Sequence, residues 1–294
     1  MDRPGTELSP TADPGLGGEA ELTFIGTATV LLRYGGFTLL TDPNFLHRGD
    51  VAKLGYGLRS RRLTEPAMTI DELPPLDFII LSHHHGDHFD EVAAAQLDKH
   101  IPIVTTCHAA RKLRGQGFTS PIAVETWESE QFVRGEASVR ITAMPGKHGP
   151  GPLAALLPPV MGAMVEFAKA GRVTFRLYVT GDTLIHDGLE EIPQRYPEID
   201  LGLIHLGGTR VLGVLVTMNA EQGIRALRLI RPQVAVAIHY GDYTVFKEPL
   251  AVFEEALTGA GLPTAVRALG RGETYRFDPA QLVGGEAGEG HGEH

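Results

Sequence analysis

At 294 residues, with 43% hydrophobic and 21% charged side chains, the chain has an ordinary globular composition and material for one large core. A net charge of −10 argues against a nucleic-acid partner, which calls for a basic surface. A single cysteine, Cys107, excludes an internal disulfide and fits a reducing compartment, and the opening residues hold no apolar signal stretch, so a cytoplasmic protein is expected.

Residues 1–19 and 281–294 are rich in Gly, Pro and Glu, and are expected to be a disordered leader and tail around one domain, 20–280. Glu21–Gly26, Thr29–Tyr34 and Phe37–Thr41 read as short strands, with Gly35-Gly36 as a hairpin turn. A polar loop runs from Pro43 to about Glu72 and is closed by Leu73-Pro74-Pro75. The apolar run Asp77–Ser82 predicts a buried strand. Asp90 is placed as the N-cap of a helix to about His100, followed by a strand at Ile101–Thr105 and a helix near Ala109–Gln116.

Ser138–Met144 alternates with period two, as a strand does. Residues 151–167 are apolar, but Pro158-Pro159 and Glu166 break the run, which is too short to span a bilayer. Within it, the 151–164 segment is expected to be a lid or wall for an acyl group, a subunit interface or core packing. Ala163–Lys169 and Arg172–Thr180 form a hairpin about Ala170-Gly171. Leu201–Leu206 and Val234–His239 are parallel-type strands around a helix that Asn219 caps and that ends at Ile230. A helix at Leu250–Ala260 and strands at Thr264–Ala268 and Thr274–Phe277 complete the chain. The first part is β-rich and the rest alternates strand and helix, with no internal repeat.

Ser82-His83-His84-His85-Gly86-Asp87-His88 sits where the buried strand ends. Neutral imidazoles and a carboxylate are ligands for zinc, manganese or iron, and strand ends are where α/β folds place ligands. On an extended segment His83 and His85 point the same way and can share one ion. Asp87 and His88 then turn toward a second position, with Gly86 permitting the tight loop. His148, Asp182 and His239 each follow a strand, so all three are placed to converge on the same rim.

The series H-x-H-x-D-H at 83–88, the lone His148, Gly181-Asp182-Thr183 and the late Ile238-His239 resembles the metallo-β-lactamase superfamily over about residues 21–278. The resemblance implies an α/β (α+β) four-layer αββα sandwich. It also implies two divalent metal ions, zinc first, with manganese or iron as alternatives. His83, His85 and His148 would hold one, Asp87, His88 and His239 the other, with Asp182 bridging. Thr41-Asp42-Pro43, Leu73 to Asp77, Leu206-Gly207-Gly208 with Thr217-Met218, and Ile238-His239-Tyr240 are similar to one branch. That branch holds ascorbate-6-phosphate lactonase-like proteins and bacterial relatives of N-acyl-phosphatidylethanolamine phospholipase D. In the phospholipase-like proteins a His is expected before Met218, where this chain has Thr217.

The expected activity is metal-dependent hydrolysis, in which hydroxide held by two ions cleaves a small ester, lactone or phosphodiester. Asp87 is assigned the catalytic role of orienting that hydroxide and shuttling a proton. His84, His186, His205 and Tyr240 are placed on the substrate side, and Asp42 behind the ligands. Arg59, Arg61, Arg62 or Arg210 is expected to face an anionic group of an anionic or acyl-bearing small molecule. His47, His100 and His108 are assigned to surface or packing and Cys107 to a small buried position. The alternatives are a nuclease of the transfer-RNA 3′-processing type and a non-catalytic metal-binding or sensing protein. A homo-oligomer is left open.

Overall fold

The computed structural model describes residues 5–8, 18–55, 57–151 and 153–282. Two sheets face each other. One runs in the order Thr274–Phe277, Ala20–Gly26, Thr29–Tyr34, Phe37–Thr41, Phe78–Leu81, Ile103–Thr105, Pro121–Ala123. The other runs in the order Thr6–Glu7, Ser129–Arg134, Ala137–Met144, Gly162–Lys169, Arg172–Val179, Leu201–His205, Val234–Ile238, Ala265–Arg267.

Alternation along each strand assigns its side chains to layers. Phe78 and Ile80 enter the core between the sheets, whereas Ile79 and Leu81 pack outward among residues of the helices Glu91–Gln96 and Cys107–Gly115. In the second sheet Val236 and Ile238 face inward, and Ala235 and Ala237 face the helices Ala220–Ile230 and Leu250–Thr258. Phe78 and Phe132 close the two sheets on each other, with ring centroids 4.6 Å apart and nearly parallel planes. The result is the four-layer αββα sandwich.

Strand direction positions the site. Phe37–Thr41, Phe78–Leu81 and Ile103–Thr105 are mutually parallel, as are Arg172–Val179, Leu201–His205 and Val234–Ile238. Their carboxyl ends therefore reach one rim, bringing Asp42, the 83–88 segment, Asp182 and His239 together. Ala137–Met144 reaches the same rim through two antiparallel pairings, Met144 opposite Gly162 and Ala163 opposite Val179.

Several elements differ from expectation. Thr6–Glu7, in the segment read as a disordered leader, pairs in parallel with Phe132–Val133. The remainder of that leader up to residue 17, apart from residues 5 and 8, lies outside the described residues, as does the tail from residue 283 with His291 and His294. The 43–72 loop contains a hairpin, Val51–Lys53 against Arg59–Arg61, and a 3-10 turn at Ile70–Glu72. The helix capped by Asp90 stops at Gln96, and Leu97 is already extended. Cys107 is exposed, because it opens a helix capped by Thr106 and turns toward solvent. Among the described residues no helix is long and apolar enough to cross a membrane.

Candidate metal centre

His83, His85, Asp87, His88, His148, Asp182 and His239 converge at the rim, every one of them buried. Three sets of ligand atoms, each within 4.8 Å of one another, are His83/His85/His148, His83/His88/Asp182 and Asp87/His88/His239. His83 Nε2 and His85 Nδ1 stand 3.0 Å apart. His88 Nε2 is 3.3 Å from Asp182 Oδ2, and His239 Nε2 is 3.6 Å from Asp87 Oδ2.

Three of the rings are held by a further partner. His148 Nδ1 donates to the Val216 carbonyl at 2.9 Å and His239 Nδ1 to the Leu206 carbonyl at 3.2 Å. His88 Nδ1 faces Asp42 Oδ2 at 3.1 Å. The two carbonyl bonds set the tautomers of His148 and His239 and leave Nε2 as their inward lone pair. Asp42 takes the Ser82 amide at 2.7 Å and the Ser82 hydroxyl at 3.0 Å, so it stands behind His88 as expected. A fourth set, Asp42/His88/His205, is the outer side of the same arrangement, since His88 presents its other nitrogen to the centre.

The buried atoms Asp87 Oδ1, His88 Nε2, Asp182 Oδ1 and His239 Nε2 have no hydrogen-bond partner, as does His85 Nε2. Burying that many polar atoms unsatisfied costs about 1–3 kcal/mol each, and cations would satisfy those that face inward. The residues present therefore fit divalent metals.

The electrostatics divide the ligands. Burial foremost, then neighbouring imidazoles, holds His83 well below its ordinary value and His85 down to about 3. Burial also lowers His148. Burial acts to lower His88 as well, but Asp182, Asp42 and Asp87 outweigh it and hold it well above the ordinary value. Burial acts to raise Asp42, yet His88 and His205 bring it down to about 2.

Backbone geometry is spent here too. Asp42 and His239 have φ of 35° and 63°, in the left-handed region that non-glycine residues rarely occupy. The His239 amide is tied to the Thr27 carbonyl at 2.5 Å. Gly86 is not in that region. A Cβ there would lie 2.6 Å from the Lys53 nitrogen and 2.7 Å from its oxygen, so close approach of the 51–53 strand demands glycine rather than a tight turn.

None of the four residues placed on the substrate side lines the cleft. His84 bonds Gln116 at 3.2 Å on the helix side of the sheet, because consecutive residues of an extended segment point opposite ways. His186 folds back to accept its own turn's Gly188 amide at 3.2 Å. His205 is fully buried behind Asp42 and beside the Thr180 hydroxyl at 3.1 Å. Tyr240 lies against Phe24 and donates to the Leu269 carbonyl at 3.3 Å.

The cleft over the centre, about 100 Å³, exposes His85, Asp87, His148 and Asp182 at its base. Leu54, Leu58, Leu157, Val211, Leu212 and Val216 form walls, with Arg59 and Arg210 beside them. Arg62 is instead buried, donating to Thr27 Oγ1 at 2.8 Å and to Asn44, and Arg61 is exposed away from the cleft. Thr217, which stands where the phospholipase-like proteins are expected to have a His, has its hydroxyl donating to Asp182 Oδ2 at 3.0 Å.

The Beta-lactamase superfamily domain matches residues 38–240. An N-acyl-phosphatidylethanolamine-hydrolyzing phospholipase D from Caenorhabditis elegans is 25% identical over 75% of this chain, which spans 64% of that relative's length. A metal-dependent hydrolase from Aeropyrum pernix is 26% identical over 88% of this chain and 98% of its own. Among solved structures, an isothiocyanate hydrolase from Delia radicum gut bacteria superposes with a TM-score of 0.73 at 25% identity, covering 88% of this chain and 99% of that one.

Proposed function

Because the chain belongs to the metallo-β-lactamase superfamily and is a metal-dependent hydrolase of that fold, we propose that it works with two divalent cations on a small ester, lactone or phosphodiester. His83, His85 and His148 would hold one cation, Asp87, His88 and His239 the other, and Asp182 would stand between them. The observation that carries this reading is the set of buried, inward-facing nitrogen and carboxylate atoms without partners at the base of an open cleft. Zinc heads the candidates, with manganese or iron next, because the same nitrogen and oxygen ligands serve all three.

Bound there, the cations would supply a water ionised near neutral pH and a Lewis acid for the scissile oxygen. The chain's own contribution is orientation and proton handling. Asp87 reaches the cleft and keeps one oxygen unpartnered, which suits it to hold the proton of the attacking water and release it to the leaving group. The Val216 and Leu206 carbonyls fix two imidazoles, so little reorganisation remains for the reaction. The apolar walls keep bulk water from the base.

The two similar proteins named for an activity act on a phospholipid and an isothiocyanate. Hydrolysis common to both names supports a hydrolase here, and we assign the choice of substrate to the walls of the cleft. The test is element analysis of protein purified without added metal, followed by a panel of bis-p-nitrophenyl phosphate, a lactone, a thioester and a structured RNA, with Asp87→Ala as control. Two metal equivalents and metal-dependent turnover lost in Asp87→Ala are expected. Bound metal with no turnover on any substrate would overturn the hydrolase reading, and cleavage confined to structured RNA would replace it with a nuclease.

A further inference from the structure

We infer that Arg59 and Arg210 are the specificity-determining pair of this centre and select a substrate with an oxyanion group, carboxylate or phosphate, on an apolar body; this rests on the hydrolase reading above. The two guanidiniums come from separate hairpins, Val51–Lys53 with Arg59–Arg61 and Arg210–Val211 with Val214–Leu215, yet both line the one cleft above the metal ligands. Neither pairs with a carboxylate among the described residues, although the chain carries 36 acidic side chains. Among the described residues the one side-chain bond of Arg210, to the Gly213 carbonyl at 3.2 Å, lies within its own hairpin and steadies the side chain while leaving other donors free. A guanidinium presents its donors as a planar fork that matches two oxygens of a carboxylate or phosphate.

The surroundings of the pair are apolar. Leu58 flanks Arg59, Leu212 sits at the hairpin tip beyond Arg210 at 96% exposure, and Leu157 closes a wall. A single exposed leucine needs no explanation. Two on the arms of one cleft, each within two residues of an unpaired arginine, form a surface that alternates charge and hydrocarbon. An oxyanion joined to an alkyl or acyl body complements both parts at once, whereas a neutral ligand leaves the guanidiniums to water and a cationic one is repelled by them.

The test is binding by the metal-loaded protein of ligands that it cannot hydrolyse, so that it stands even if no substrate turns over. Decanoate, decyl phosphate and decanol are titrated into wild type, Arg59→Gln, Arg210→Gln and the double variant, with metal content measured for each. Wild type is expected to bind one or both anions more tightly than decanol. The double variant should lose about fivefold or more in anion affinity, with decanol unchanged. Preference for one anion over the other identifies carboxylate or phosphate as the group selected. Equal binding of anions and decanol by wild type overturns the inference. So does undiminished anion binding by the double variant, which would place the anion on the metals instead.

Discussion

The Thr217 hydroxyl donates to Asp182 Oδ2 at 3.0 Å. The residue before it, Val216, accepts from His148 Nδ1 at 2.9 Å, so one dipeptide orients a ligand of each proposed metal position. Both atoms hang from the short Arg210–Leu215 hairpin that forms one arm of the cleft. Thr217→Val keeps the shape and removes the donor. It should weaken metal binding at the centre that Asp182 spans about tenfold, within the range for outer partners of ligands, while Thr217→Ser retains it. Chelator competition monitored by metal content measures the difference, and a Val variant with wild-type affinity would remove Thr217 from any positioning role.

Asp42 acts through a different ligand. Its carboxylate holds the Ser82 amide and hydroxyl and faces His88 Nδ1, all in a buried pocket. Asp42→Ala strands the Ser82 donors and frees the His88 ring. A loss of about 2–4 kcal/mol in stability is expected from the unsatisfied groups, together with one metal equivalent. Asp42→Asn keeps an acceptor for Ser82 but changes the charge facing His88, so it should recover much of the stability and less of the metal. Thermal unfolding and element analysis on both variants separate the two effects. A variant that kept both equivalents would show that His88 needs no carboxylate behind it.

Which residues converge was legible in the sequence, because every one follows a strand and parallel strands deliver their ends to one rim. What lies beside them was not. His84 and His205 sit next to ligands or strand ends in sequence, yet side-chain alternation sends the first toward Gln116 and burial takes the second behind Asp42. The strand Ser129–Arg134 escaped because its inward position 130 is a glutamate, kept buried by the Thr6 hydroxyl at 2.9 Å. Arg62 looked like a counter-charge and is a buried tie among Thr27, Asn44 and Thr64. Such roles depend on contacts between distant parts of the chain, Arg62 with Thr27, His84 with Gln116 and His205 with Asp42, which no local pattern carries.

The apolar 151–164 segment resolves residue by residue. Val160 and Met161 are core, Leu157 lines the cleft, and Leu156 is 58% exposed away from it. Leu157→Ser should therefore raise KM for long acyl substrates several-fold, with about 1–3 kcal/mol of apolar contact at stake, and spare short ones. Leu156→Ser should leave both alone. Equal losses on short and long substrates in Leu157→Ser would mean that the residue supports the fold and not the substrate.

The two proposed metal positions should differ in pH sensitivity, one rising with pH and the other flat. His83, His85 and His148 all have lowered pKa values, His85 down to about 3, so in the metal-free protein they offer free lone pairs throughout the neutral range. His88 is held well above its ordinary value by the carboxylates around it. Its protonated form stabilises the metal-free fold below that raised value, and the contribution is lost as pH rises through it. A cation entering beside Asp87 and His239 must displace this proton, so its affinity rises with pH while that of the first position stays flat. Calorimetric titration at about pH 6 and about pH 8, in buffers of different ionisation enthalpy, should resolve one equivalent that binds alike at both values. The second equivalent should be weaker at the lower pH and release a proton. If both equivalents weakened in parallel, the division of the site by the charge around His88 would be wrong.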